Sequence, residues 1–426
     1  MRESRAKQSV LDVLQAAPSL SWSDNLPVLI SREGRALLRW LDRSGLALYF
    51  FRRLQKFNWI EQLPAEWRSA LRRRLTDNGE RTQDMLREFR RINEAFLTCG
   101  VKVAALKGFT LVPDFCDELT IRHQTDFDFL VEPANQRAAA EALLRCGYET
   151  DHINETGETC FTTPMQHVPS TDDYLYALQH QRQVDLHISA WEQSPWLAMD
   201  TPQDCMKLVQ WRKVEGAQFW SLALEDALLF QILHVFRHSL RSWIRLSWLL
   251  EIGQCMELHR DNTALWERVA SRAGDTDLTK NAFAFVLGLV NRVFGFVMPS
   301  ALQTWIAGAD TAEIRTWLDR FAVDWATADW PGSLNNLFVT LRFIPDPALR
   351  RQYWRSRLVP RRENASLGLI AASNTKTFMR LQGARLRYLA QRAGTHAKDI
   401  CGLPLQTLRW KRALAASRRV VVAINS

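Results

Sequence analysis

Between Gly100 and Ser189, three short runs of apolar and β-branched residues interrupt a chain otherwise written in helical periods, and the middle run carries one aspartate and directly follows another. The runs are VKVAAL from Val101, FDFLV from Phe127 and QVDLHIS from Gln183. Their length suits buried strands, typically about five or six residues, better than helices, which usually need ten or more. After the second run Pro133 opens PANQRAAAEALLRC, an alanine-rich helix with a stop signal at Gly147, and Tyr148 onward offers a further strand. Strands alternating with helices over so short a span predict a compact α/β unit.

The flanks read differently. Leu37, Leu38, Leu41 and the run Leu46 to Phe51 make apolar patches at helical spacing, and Met85, Phe89, Ile92 and Phe96 form a stripe at i, i+4, i+7 and i+11. Helical character returns over 222–256 and again in FAFVLGLVNRVFGFV from Phe283. The expected organisation is therefore a helical region over 1–99, an α/β palm over 100–195, a helical domain over 196–346 and a basic C-terminal region over 347–426. In class terms this is α/β of the α+β kind: a small mixed sheet embedded between helical regions. A chain of 426 residues with 47% hydrophobic residues can bury more than one core.

Composition narrows the setting. No run of about 18 uncharged apolar residues is present to span a bilayer, and the N-terminus lacks the apolar stretch of a secretion signal, so a soluble, cytoplasmic protein is expected. The seven cysteines are scattered without a C-x-x-C pair and are expected to be reduced. Charge is uneven. From Arg350 onward seventeen Lys and Arg face two acids, a surplus of 15 in a chain whose net charge is +9, so the remainder sums to −6. Such a tail can bind nucleic acid or lie on an anionic membrane surface, but its many leucines favour docking on the acidic body.

Asp126 and Asp128 flank Phe127, so the two-residue period of a strand points both carboxylates to one face while Phe127 and Phe129 point to the other. Two carboxylates held a few ångströms apart repel each other at neutral pH unless a cation lies between them, and hard oxygen donors favour Mg²⁺ or Mn²⁺. Asp185 adds a third carboxylate from a separate strand with the same alternation. Three such acids suit two-metal phosphoryl chemistry. Upstream, Lys107 and Gly108 close the first strand; the glycine allows backbone N–H groups to approach phosphate oxygens, and the lysine adds positive charge. A second D-x-D, at Asp275 and Asp277, precedes no apolar strand and reads as a solvated turn.

The order Leu106-Lys107-Gly108, then Arg122 to Val131, then Gly147-Tyr148, then Val184 to His187 resembles the uncharacterised nucleotidyltransferase family within the DNA polymerase beta-like superfamily. The stretch ALEDALLFQILHVFRHSLRSWIRLSWLLEIG, with paired histidines and Trp243-x-Arg245-Leu246, is similar to that family's helical segment. The resemblance implies a nucleotidyltransferase palm with carboxylates on adjacent strands, a divalent metal, and a phosphate-binding turn. The superfamily usually has Gly-Ser at that turn; here Gly108 is followed by Phe109 and Thr110, which displaces the hydroxyl. Glu251 stands where the family segment often ends in aspartate.

On this reading Asp126, Asp128 and Asp185 are the catalytic residues and metal ligands, and Lys107, Gly108, Thr110 and Arg122 contact the nucleotide. Arg122 serves either a phosphate or an ion pair. His187 shares the face of Asp185 and serves either the acceptor or the core. His234 and His238 have the i, i+4 spacing of a metal pair, yet no H-E-x-x-H glutamate accompanies them, so they are expected to line the cleft or pack between helices. The expected reaction moves a nucleoside monophosphate from an NTP such as ATP to a hydroxyl or phosphate of a small-molecule or peptide acceptor, releasing pyrophosphate. Two alternatives stay open: a noncatalytic nucleotide-binding or protein-interaction module on the same fold, and a nucleic-acid-binding regulator using the tail.

Overall fold

The computed structural model describes residues 2–18, 26–153, 158–164, 174–178, 182–191, 196–197, 199–241, 244–307, 309, 312–328, 334, 336–358 and 375–424. Trp243 and the 359–374 part of the tail fall outside them.

Four helices come first: α1 (Arg2–Val13), α2 (Leu26–Ser44), α3 (Ala47–Lys56) and the 34-residue α4 (Ala65–Thr98). The chain then enters the sheet with β1 (Val103–Ala105) and β2 (Asp126–Val131), followed by α5 (Gln136–Arg145), β3 (Glu149–Ile153), β4 (Thr159–Thr162) and β5 (Gln183–His187). Two further strands, β6 (Gln210–Val214) and β7 (Ala217–Ser221), lie beyond residue 195 and belong to the same sheet. Its order is β3-β4-β5-β2-β1-β7-β6, with β5·β2 and β1·β7 parallel and the other neighbours antiparallel. The mixed seven-stranded sheet in a largely helical chain agrees with the α+β class expected from the sequence.

The apolar face of the sheet packs on α4 and α5. Met85, Phe89, Ile92 and Phe96 of α4 are buried there with Phe127, Phe129 and Val131 of β2. Phe89 is the hub, its ring stacked on Phe129 at 5.7 Å between centroids and edge-on to Phe109 and Phe219. Each of these large rings removed from water stabilises the assembly by about 2–3 kcal/mol on area grounds. Because the strand period is two, Phe127 and Phe129 facing α4 compel Asp126 and Asp128 to face away.

The opposite face, through Ala104, Leu106 and Leu130, joins a second core built with α6 (Leu224–Arg241), α7 (Leu246–Leu258), α8 (Thr263–Ala273) and α9 (Asp277–Phe294). Asn262 and Thr276 cap α8 and α9 through their side-chain oxygens, and Gly295 ends α9 in the left-handed conformation. Asp275 and Asp277 are exposed at the start of α9. The chain continues through α10 (Ser300–Trp305), α11 (Ala312–Thr327), α12 (Asn336–Phe343), α13 (Pro347–Leu358) and the 50-residue α14 (Thr375–Ile424). Within α14, Trp410 is buried with its ring stacked 5.4 Å from Phe338. Among the described residues no helix is long and apolar enough to cross a membrane.

Candidate active site

Asp128 and Asp185 are direct register partners on the parallel strands β2 and β5, and Asp126 pairs with Gln183 one pleat earlier. Asp126, Asp128 and Asp185 each offer a carboxylate oxygen within 4.8 Å of the others. The sheet therefore brings together the three acids that the sequence reading grouped.

Lys107 leaves the end of β1 beside the start of β2, where Leu106 N–H still donates to Asp128 O at 3.0 Å. Its Nζ lies 3.1 Å from Asp128 Oδ2 and 3.4 Å from Asp126 Oδ2. Burial works against the Lys107 charge, yet Asp128 and Asp126 raise the ammonium well above the ordinary lysine range. Burial likewise opposes the Asp128 charge, but Lys107 and His187 hold that carboxyl well below the usual range. Asp185 goes the other way: burial and the neighbouring Asp128 raise it to about 6.

Asp185 and Asp126 are braced by neighbours that the sequence reading did not single out. Gln183 Nε2 donates to both Asp185 oxygens at 3.0 and 3.1 Å, and the Cys160 thiol bonds the same carboxylate from the paired position on β4. Thr125 Oγ1 donates to Asp126 Oδ1 at 3.1 Å, and Gln124 Nε2 donates to Asp126 O at 2.9 Å. Gln183 is legible in hindsight, since it precedes Asp185 by one period of the strand. Cys160 gives no local signal, because only the pairing of β4 with β5 brings it near.

Gly108 has φ +76°, and a Cβ there would stand 2.5 Å from the Gln124 amide nitrogen. Glycine at this turn thus allows both the backbone conformation and the close approach of the Gln124 amide that supports Asp126. Thr110 is buried, and among the described residues its Oγ1 has no hydrogen-bond partner. Arg122 meets Glu251 Oε1 at 3.1 Å, and Tyr49 donates to the same oxygen at 2.8 Å. This buried network ties the segment before β2 to α3 and α7.

His187 Nε2 lies 3.3 Å from Asp128 Oδ1 and 3.7 Å from Glu158 Oε1. Burial lowers its basicity, but Asp128 and Glu158 outweigh that and raise it. His234 of α6 comes down over the same face: burial and Lys107 push its imidazole down to about 3, with Asp128 and Asp126 acting in the opposite sense. Its ring lies 4.4 Å from that of His238 and 4.8 Å from Trp248. His234 and His238 thus form an aromatic group with Trp248 between α6 and α7.

The donor set fits a divalent cation. Three carboxylates converge, and burial together with the neighbouring Asp128 raises one of them, Asp185, to about 6. Asp128 Oδ2 is buried and has Lys107 as an ion-pair partner without a directed hydrogen bond. Hard oxygen donors at this spacing suit Mg²⁺ or Mn²⁺.

A mixed sheet bearing carboxylates on adjacent strands, backed by α4 and α5 and covered by helices, defines a nucleotidyltransferase-like α+β protein. Residues 31–295 match the family described as "Uncharacterised nucleotidyltransferase", and the chain belongs to that family. The matched span contains all seven strands, the three aspartates and Glu251. No curated protein and no solved structure matches the chain. Family membership makes the chain a transferase by class and supports a role in nucleotidyl transfer.

Proposed function

We propose that this protein is a metal-dependent nucleotidyltransferase that moves a nucleoside monophosphate from an NTP to a hydroxyl or phosphate of a small-molecule or peptide acceptor, with release of pyrophosphate. The observation that carries the reading is the convergence of Asp126, Asp128 and Asp185 within 4.8 Å on a sheet of the nucleotidyltransferase kind.

Asp126, Asp128 and Asp185 would hold Mg²⁺ or Mn²⁺, which when bound supplies Lewis-acid polarisation of the phosphoryl group and acidifies an acceptor hydroxyl. The chain's own groups do the rest. Gln183, Cys160 and Thr125 fix the carboxylates in place, so that little reorganisation is needed during reaction. Lys107 carries the charge that meets the triphosphate, and the turn at Gly108, with Thr110 behind it, lets backbone N–H groups approach phosphate oxygens. Arg122, locked to Glu251, orients the segment that leads into β2 and adds positive potential beside the nucleotide. His187, braced on Asp128, faces the acceptor side, and His234 and His238 wall the cleft opposite. A cytoplasmic setting belongs to the same reading, because NTP substrates and reduced cysteines are found there; the seven cysteines are free.

The test is incubation of the protein with each of the four α-³²P-labelled NTPs, Mg²⁺ or Mn²⁺ and a lysate of the source cell. A labelled product that disappears with chelator supports the reading. Nucleotide binding without any labelled product would favour the noncatalytic module.

A further inference from the structure

Lys107 stands where a metal ion would compete with it. Its Nζ bridges Asp126 and Asp128 at 3.4 and 3.1 Å, and these same carboxylates, with Asp185, form the candidate metal cluster. A Mg²⁺ or Mn²⁺ ion binds carboxylate oxygens at about 2.0–2.2 Å, so an ion shared by this pair and the ammonium would be two cations crowded within a few ångströms. One must move. Among the described residues Lys107 makes ion pairs with Asp126 and Asp128 alone, and its side chain is only 20% exposed. An ammonium that surrendered both carboxylates would lose its counter-charges without gaining full hydration, which is costly in a part-buried site.

The backbone at Lys107 is fixed by the end of β1 and by the Gly108 turn, while its four-carbon side chain can swing. Among the described residues it has no ion pair outside these two carboxylates to swing toward. Resting on the nucleotidyl-transfer reading, we propose that Lys107 is a resident counter-cation that bars free divalent metal, and that the site accepts the metal as its nucleotide chelate. The triphosphate gives the displaced ammonium a new anionic partner at the moment the metal takes the carboxylates. Metal and nucleotide then bind with positive coupling, which by linkage is the same whichever is varied. Without an anion Lys107 also keeps the carboxylates from repelling one another, so the site is held in shape before substrate arrives.

The experiment is ultrafiltration of the full chain with Mn²⁺, measuring protein-retained metal alone and with each of the four α,β-methylene nucleoside triphosphates. Wild-type protein is expected to retain Mn²⁺ weakly alone and at least tenfold more tightly with one of the analogues. Lys107→Met is expected to bind Mn²⁺ alone at least tenfold more tightly than wild type and to lose most of the coupling. Wild-type Mn²⁺ affinity that is unchanged by all four analogues would overturn the inference without any variant. So would Lys107→Met binding the metal no better than wild type. Asp128→Asn separates the two layers. Loss of Mn²⁺ in Asp128→Asn with no effect of Lys107→Met sinks only the inference. Retention of Mn²⁺ by Asp128→Asn at the wild-type level in every condition sinks the nucleotidyl-transfer reading as well.

Discussion

Asp128 and Asp185 face each other across parallel strands, and their surroundings drive the two carboxyls in opposite directions: Lys107 and His187 overcome burial to keep Asp128 ionised, whereas burial and Asp128 itself raise Asp185 to about 6. The pair behaves as one acid site with one charge held firmly and one held at a cost.

That asymmetry predicts a gain of stability from Asp185→Asn. The folded-state value of about 6 exceeds the unfolded value of roughly 3.9, so the folded chain holds this proton more tightly. Its contribution to stability is full below the unfolded value and is lost as pH rises from about 4 to about 6. In chelator at pH 7.5, Asp185→Asn should therefore be more stable than wild type by about 1–2 kcal/mol, with the difference shrinking toward pH 4. Urea unfolding at the two pH values measures it. A less stable variant at pH 7.5 would show that the Asp185 charge supports the fold.

Gly108→Ala should cost stability. A residue with a Cβ at φ +76° loses about 1–2 kcal/mol, and the new methyl would also push the Gln124 amide off Asp126 O. The Gln124 side chain can yield, so Gln124→Ala combined with Gly108→Ala should relieve the steric part and leave the conformational part. Thermal unfolding of the two single variants and the double variant separates them. Strictly additive losses would mean that the two residues do not meet.

The buried Arg122–Glu251 pair gives a third expectation. Removing one partner leaves a buried charge alone, so Glu251→Ala should lose about 3–5 kcal/mol, whereas Tyr49→Phe, which deletes one hydrogen bond to the same carboxylate, should lose about 1–2 kcal/mol. Chemical denaturation gives both values. Equal losses would mean that the charge of Glu251 is not balanced by Arg122.

Much of this site is legible in the sequence because the signals are local. The alternation in DFDFLV and QVDLH places three carboxylates on one face, and the α4 stripe ending at Phe96 supplies the cover for the other. What escapes a reading of one strand at a time is pairing. Nothing near residue 126 shows that Lys107 will settle between its carboxylates, that Cys160 will touch Asp185, or that Glu251 will take up Arg122 from 129 positions away. β6 and β7 are missed for a different reason: QWRKV is buried only at Val214, and AQFWS buries alternate positions with Ala217, Phe219 and Ser221, so neither offers an apolar run to announce it.

The basic tail supplies the fourth expectation. Trp410 stacks on Phe338, and Tyr353 of α13 donates to Leu240 O at 2.8 Å, so we expect truncation after Pro347 to impair solubility or folding more than nucleic-acid affinity. Trp410→Ala should cost about 3 kcal/mol if α14 is held as firmly as a core element. Limited proteolysis at Arg409, Lys411 and Arg412 reports on it. Rapid trimming of wild-type tail to a stable, soluble body that has lost affinity for RNA, DNA or anionic lipid would contradict the docked reading.

The most direct test of the central claim is to follow transfer from α-³²P and γ-³²P forms of the preferred NTP by wild type, Asp126→Ala, Asp128→Ala and Asp185→Ala, each checked for folding by circular dichroism. The account predicts that wild type transfers the α label and never the γ label to acceptor, and that each folded variant loses at least about a hundredfold in rate, as expected when a metal ligand or its equivalent electrostatic support is removed. Transfer of the γ label, or wild-type rates in the three aspartate variants, would contradict it.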